Sequence, residues 1–232
     1  MSDSARNNWA RNNSARNNSA QGKEYVLSIA LPMLQRIAAA AGQPVPRLVV
    51  INRWGRKPRA TSAIAKTRVR GGGRSVIALS PEAVSSLGPP ALEFLLAHEY
   101  GHIALRGSRW ARARRACGVV LVVLGFLSLV AAVFLPVLGT LVVIVLMAGI
   151  FATLGAGLFA SRRHEEEADD YAAACQANLS GADELFRWLA VRRAKAQATG
   201  AINALMATHP RPLDRLQRLA GKRQGSARDD HA

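Results

Sequence analysis

The longest uncharged stretch of the chain limits its possible folds more than any other feature. None of the 45 residues from Ala116 to Ala160 is charged, and arginines flank the stretch on both sides. A membrane-spanning helix needs about 20 apolar residues, so the stretch is too long for one span and sufficient for two. Pro136 and Gly139 mark the natural turn. Since a soluble domain of this size could hardly cover two helices that are apolar all round, a transmembrane hairpin is favoured over a buried one.

The charge balance of the chain indicates an anionic partner. The formal net charge is +16 and the pI is near 11.4, which suits either nucleic acid or an acidic lipid surface. The basic run from Arg53 to Arg74 contains no acidic residue, but Trp54 is its only aromatic side chain and no nucleic-acid-binding motif occurs. We therefore expect the lipid bilayer, rather than nucleic acid, as the partner of this charge.

Hydrophobic spacing outside the uncharged stretch predicts a mainly α-helical α+β protein with a small sheet. A helix is expected from Tyr25 to about Ala41, and short strands are expected at Leu48–Ile51 and Ser75–Leu79. Ser80 is a plausible cap for a short helix, because a proline and a glutamate follow it. Further helices are expected over about 91–105, 165–176, 183–198 and 213–220.

The strongest chemical signal is the pattern H-E-x-x-H at His98-Glu99-Tyr100-Gly101-His102. Residues four apart lie on one face of a helix, so both imidazoles can reach a single metal ion. Glu99 projects beside them and is placed to take a proton from water at the metal. The pattern is typical of zinc metallopeptidases.

A catalytic zinc site needs a third protein ligand, and the segment 161–170 offers carboxylates for it. Glu165 and Asp169 are four apart on one helix face, so one can bind the metal while the other accepts a hydrogen bond from a ligand histidine. Taken alone, the segment is better explained as a solvated acidic face that balances its own arginines. However, an antiparallel hairpin returns the chain to the side it left, which would bring this segment close to His102.

These motifs, in this order, resemble the HtpX-like family of membrane zinc endopeptidases, a gluzincin type related to the CAAX prenyl proteases. That family combines H-E-x-x-H with a later S-R-x-x-E-x-x-A-D, and transmembrane helices lie between them. Ser161-Arg162, Glu165 and Ala168-Asp169 match position by position. The family's His-Pro near the C-terminus, followed by an arginine and a helix, is matched by His209-Pro210 and Arg215. The resemblance spans about residues 30–220.

The resemblance implies a zincin-like metallopeptidase domain with an inserted transmembrane hairpin and one zinc ion per chain. The metal ligands would be His98, His102 and Glu165, and Asp169 would orient a ligand histidine. His164 and His231 are not expected to be ligands, because His164 points away from Glu165 on a helix and His231 lies in the tail.

The implied reaction is hydrolysis of peptide bonds in polypeptide substrates by zinc-activated water. Glu99 would be the general base, and His209 could stabilise the oxyanion. An extended substrate could add as a strand beside Ser75–Leu79. The alternative is a non-catalytic membrane protein with a structural metal site, but Glu99 is not needed to hold a metal, so catalysis is favoured.

On this interpretation the chain has five parts, arranged around the transmembrane hairpin. They are a disordered basic arm of pentapeptide repeats (1–22), the first part of the peptidase domain with the metal motif (23–115), the hairpin (116–160), the second part of the peptidase domain (161–220) and a disordered tail (221–232).

Basic residues near both ends of the hairpin predict its orientation. Arginines crowd residues 106–115 and recur at Arg162 and Arg163, whereas the turn near Pro136 carries no charge. Because basic residues are retained on the cytoplasmic side, both ends should be cytoplasmic. We expect a protein of the plasma or bacterial inner membrane, whose active site faces the cytoplasm and whose substrates are membrane proteins.

Overall fold

The computed structural model describes residues 3–50, 64–69, 75–134, 139–198 and 211–229. Over these residues the fold is mainly helical with a small sheet, which confirms the predicted α+β composition. In chain order, the elements are α1 (Asp3–Ala40), β1 (Arg47–Val50), β2 (Ala65–Val69), β3 (Ser75–Leu79), α2 (Pro81–Ser86), α3 (Pro89–Ala104), α4 (Arg109–Phe134), α5 (Gly139–Ala174), α6 (Ser180–Ala198) and α7 (Pro212–Asp229).

The sheet has three strands in the order β1-β3-β2, with β3 parallel to β1 and antiparallel to β2. The prediction that a substrate adds beside Ser75–Leu79 is therefore wrong, because β3 is hydrogen-bonded on both sides and only β1 and β2 have an open edge in the described sheet. β2 was not predicted from the sequence. Lys66 and Arg68 are exposed while Ala65 and Thr67 are half-buried, so the strand is amphipathic but lacks an apolar run.

Two helices are longer than hydrophobic spacing predicts. α1 begins at Asp3 rather than near Tyr25, and α7 continues to Asp229. Both helices therefore reach into the segments 1–22 and 221–232, which were expected to be disordered. Neither segment contains proline, so a helix nucleated on packed residues can propagate into it.

The predicted cap before α2 is confirmed. The Ser80 hydroxyl oxygen accepts a hydrogen bond from the Ala83 amide at 3.2 Å, Pro81 occupies the first turn, and Glu82 supplies an acid near the positive helix end. The cap ends β3 sharply, so that α2 and then α3 follow the sheet without a long connection.

The described residues divide into two compact units. The first comprises the described residues within Met1–Ile103, Ala168–Met206 and Arg211–Ala232. Its core includes the rings of Phe94 on α3 and Phe186 on α6, which meet edge to face with centroids 5.7 Å apart. The largest fully buried side chains of this core are Tyr100, Phe94, Phe186, Leu34, Ile77, Leu79, Leu92, Leu96 and Val26.

The described part of the second unit lies within Ala104–Glu167 and contains α4 and the first part of α5. Two segments are long and apolar enough to cross a membrane, by length and composition: Arg109–Val130 and Ile144–Ala174. Only 0% and 6% of the most apolar part of each segment is buried, so these apolar parts are not covered by the described residues of the protein. At one end of this unit Trp110 and Phe159 meet edge to face at 5.5 Å.

Candidate metal centre

α3 carries the H-E-x-x-H motif. The rings of His98 and His102 lie one helical turn apart, with centroids 4.7 Å from each other and planes at 80°. His98 and Glu99 are buried, and His102 is half-buried. The helical spacing therefore brings both imidazoles to one side of α3, where they can reach one ion.

Glu165 on α5 completes a group that could hold a metal. His98, His102 and Glu165 each offer a ligand atom, and these three atoms lie within 4.8 Å of one another. A tetrahedral zinc ion with ligands at about 2.1 Å would hold them about 3.4 Å apart, so small side-chain rotations suffice. Two imidazole nitrogens and a carboxylate oxygen suit zinc chemically. The residues therefore fit a zinc ion.

Asp169 lies one helical turn beyond Glu165 and contacts His98. Its Oδ1 is 3.0 Å from His98 Nδ1, and its side chain is fully buried. A carboxylate at this distance favours the imidazole form with the proton on Nδ1. Nε2 is then the nitrogen that His98 would offer to a metal.

Arg215 on α7 fixes Asp169 in turn. Its Nε donates to Asp169 Oδ2 at 2.7 Å and its Nη2 donates to Oδ1 at 2.5 Å, a bidentate pair between two buried residues. The guanidinium also lies over the Phe186 ring, 4.7 Å from the centroid. A chain of contacts thus runs from the α6 and α7 packing through Asp169 to His98.

The electrostatics of Asp169 follow from this arrangement. Burial alone would raise its pKa, but the Arg215 charge and hydrogen bonds, with a smaller contribution from His98, lower the pKa to about 2. Asp169 follows the uncharged stretch, which ends at Ala160, and therefore lies outside the predicted transmembrane hairpin. The carboxylate is therefore ionised at any physiological pH, as a hydrogen-bond acceptor for His98 requires.

Glu99 is held from the sheet side. The Thr67 hydroxyl on β2 lies 2.7 Å from Glu99 Oε2 and 2.9 Å from the Glu99 main-chain oxygen. The contact joins an edge strand to the helix that carries the metal motif.

Compared with known protein families, residues 32–223 match the family described as Peptidase family M48. The chain belongs to peptidase family M48. The family assignment confirms the resemblance that the motifs indicated, since the HtpX-like proteases are M48 zinc metallopeptidases. Comparisons with curated proteins and with solved structures gave no match.

M48 peptidases are metallopeptidases that generally use zinc, and the donor set of this chain agrees with that chemistry. The neighbouring acids of α5 have local partners: Glu166 pairs with Arg163 at 2.8 Å, and Glu167 lies 3.6 Å from His164 Nδ1. Among the described residues, the metal group contains neither of these acids nor His164.

Several predictions fall outside the described residues of this M48 chain. They concern His209, His231, the turn at Pro136 and most of the basic run from Arg53 to Arg74. Their expected roles stay predictions.

Two contacts at the centre were missed by sequence reasoning, namely those of Thr67 with Glu99 and of Arg215 with Asp169. Arg215 was noted through the family motif, but nothing in the sequence named its partner. Thr67 lies in a strand that was not predicted, so no sequence signal pointed to it.

Proposed function

We propose that this M48 chain is a membrane-anchored, zinc-dependent endopeptidase. The observation that carries the proposal is the grouping of His98, His102 and Glu165, with Glu99 next to His98 on the same helix. Three protein ligands leave a coordination position open, which is the arrangement of catalytic rather than structural zinc sites.

The residues of the site would have the following roles. His98, His102 and Glu165 hold the zinc ion, and Asp169 keeps His98 in the required tautomer. When bound, zinc supplies Lewis acidity, which activates a water molecule and polarises a peptide carbonyl.

Glu99 accepts the proton as water attacks the carbonyl and then passes it to the leaving amine. The buried position of Glu99 supports this role, because water exclusion strengthens electrostatic interactions at the reacting atoms. By resemblance, His209 stabilises the oxyanion.

An extended substrate would add to the open edge of β2. This edge replaces the one first expected, and the Thr67 contact supports it, because it joins β2 to the residue that acts as base. Main-chain hydrogen bonds of the added strand would give affinity without strict sequence preference.

The exposed apolar surface of α4 and α5 supports membrane anchoring. The Trp110–Phe159 pair is flanked by Arg109 over the Trp110 ring at 5.0 Å and by Arg163 over the Phe159 ring at 5.2 Å. Aromatic rings with adjacent basic residues are typical of the membrane interface. Positive charge at this end of the hairpin supports a cytoplasmic location for it. We propose that the metal site also faces the cytoplasm and that the substrates are membrane proteins with cytoplasmic or newly exposed segments.

The test is zinc content and casein cleavage by the detergent-purified protein and two variants. Glu99→Gln should keep stoichiometric zinc and lose nearly all activity. Glu93→Gln is the matched control on the same helix, because Glu93 pairs with Arg36 at the surface, 3.1 Å away. It should remain active.

Two outcomes would count against the proposal. A fully active Glu99→Gln protein would remove Glu99 from the mechanism. Wild-type protein that holds zinc but cleaves no polypeptide would favour the alternative, a non-catalytic membrane protein with a structural metal site.

A further inference from the structure

We propose that Thr67 is a positioning residue, whose hydroxyl holds the Glu99 carboxylate in the orientation that proton transfer requires. The inference rests on the proposed function, because it concerns the residue that acts there as general base. It gives β2 a role at the site, which the proposed metal ligands and Asp169 do not account for.

The Thr67 hydroxyl lies within hydrogen-bonding distance of two Glu99 oxygens. The Thr67 hydroxyl oxygen is 2.7 Å from the carboxylate Oε2 and 2.9 Å from the main-chain oxygen of the same residue. Hydrogen bonds to an ionised acceptor are short and about twice as strong as neutral ones. A glutamate has three side-chain torsions to fix, and a partner that touches both its carboxylate and its backbone restricts them together.

The strand gives the hydroxyl a fixed direction. Lys66 and Arg68 point to solvent, so the strand alternation turns Thr67 toward α3. Threonine is β-branched and stiff at χ1. Thr67 also pairs across the ladder with Ile77 on the central strand β3, whose side chain is fully buried. The hydroxyl is therefore presented by a supported strand rather than by a loop.

Two acceptors within reach suit a group that gains and loses a proton during each turnover. A hydroxyl has one proton to donate. When Glu99 is charged, the hydroxyl donates to Oε2. Once Glu99 has taken the proton from water, the hydroxyl can donate to the main-chain oxygen and accept from the Glu99 O–H. Thr67 thus stays hydrogen-bonded to Glu99 in both states.

A purely structural bond that ties β2 to α3 is the competing explanation, and variants separate the two. Thr67→Val removes the hydroxyl with little change in shape, and Thr67→Ser restores it. Thr153→Val is the matched control, because the Thr153 hydroxyl donates to the Gly149 main-chain oxygen at 2.7 Å on α5.

Steady-state kinetics on a peptide that the wild type cleaves should separate an effect on kcat from an effect on KM. Thr67→Val should lower kcat by about 10- to 100-fold, because misplacing a catalytic group by about 1 Å can cost about 100-fold. KM should change by less than about twofold and zinc content should be unchanged. Thr67→Ser should recover to within about threefold of wild type, and Thr153→Val should match wild type.

An unchanged kcat in Thr67→Val would overturn the inference, and so would an equal loss in Thr67→Val and Thr67→Ser, which would indicate strand packing instead. Crystal structures of the zinc-loaded proteins give a readout that needs no activity. The Glu99 carboxylate should move in Thr67→Val and keep its place in Thr67→Ser. An unmoved Glu99 carboxylate in Thr67→Val refutes the inference. If the carboxylate is displaced in Thr67→Val but the wild-type protein is inactive, only the proposed function is refuted.

Discussion

Replacing Arg215 by methionine should destabilise the first unit strongly, because it leaves a buried carboxylate without its main partner. Asp169 is fully buried, and Arg215 holds both of its oxygens. Methionine keeps most of the side-chain volume over Phe186 but removes the charge and the donors. The change therefore isolates the ion pair from the packing around it.

Two physical arguments give the size of the effect. The Asp169 pKa is lowered from 3.8 to about 2, which corresponds to about 2–3 kcal/mol in favour of the charged form. Breaking a buried pair by removing one partner costs about 3–5 kcal/mol, since an uncompensated charge remains. In a chain of this size, each kcal/mol shifts the melting temperature by about 2–4 °C. We therefore expect a decrease of about 4–20 °C.

Thermal unfolding in detergent, measured by fluorescence at pH 7, tests this expectation. The control is Arg187→Met, which removes an exposed partner of Asp183 on α6, 2.7 Å away, and should change the melting temperature by less than about 2 °C. The double variant Asp169→Asn with Arg215→Met should be more stable than Arg215→Met alone, because no charge is then stranded.

The pH dependence of the metal-free protein has a definite sign. Because the folded pKa of Asp169 is depressed, its contribution is fully present above about pH 3.8 and is lost as the pH falls through about 2. In Arg215→Met, burial is opposed less and the folded pKa of Asp169 should rise, so the stability that the variant has lost relative to the wild type should shrink as the pH falls. Two results would contradict this reasoning about the Asp169–Arg215 ion pair. One is an Arg215→Met protein that melts within about 2 °C of the wild type, and the other is a double variant that is less stable than Arg215→Met alone.

Three further predictions concern the metal, the helix packing and the membrane. Glu165→Ala should lower zinc retention against a chelator far more than Glu166→Ala or Glu167→Ala, and equal retention in all three would exclude Glu165 as a ligand. Gly101→Val should lower stability by about 1–3 kcal/mol and weaken zinc retention, because a Cβ at Gly101 would lie 3.2 Å from the Ala168 Cα. Gly118→Val is its control, since a Cβ there would meet nothing within 4 Å; equal stability of the two variants would contradict the close approach. In a background without native cysteines, Thr140→Cys should react with an impermeant thiol reagent from outside the cell and Ser108→Cys should not, and the reverse pattern would invert the proposed topology.

Local features of the fold could be predicted from the sequence. The bounds of Ser75–Leu79 and the cap at Ser80 are as expected, and the spacing of His98 and His102 placed both rings on one side of a helix. Each of these depends on a local pattern, namely the alternation of a strand, the cap at a helix start or the spacing of residues along a helix. Their geometry is fixed by the helical and extended periods, and the sequence therefore carries it directly.

The third member of the metal group is an intermediate case. Spacing left Glu165 and Asp169 equally able to bind the metal, and only the resemblance to a family distinguished them. The tertiary structure groups Glu165 with the two histidines and turns Asp169 toward His98 Nδ1. One helical turn separates the two carboxylates, so the packing of α5 against α3 assigns their positions.

The sequence by itself therefore determined the metal motif, the uncharged stretch and the helical character of the chain. Only the tertiary structure decided that β3 is the central strand, that Thr67 reaches Glu99 and that Arg215 holds Asp169. The two side-chain contacts join residues 32 and 46 positions apart along the chain. They depend on strand register and on how helices pack, and because periodicity repeats locally, it contains no information about which distant side chains will meet.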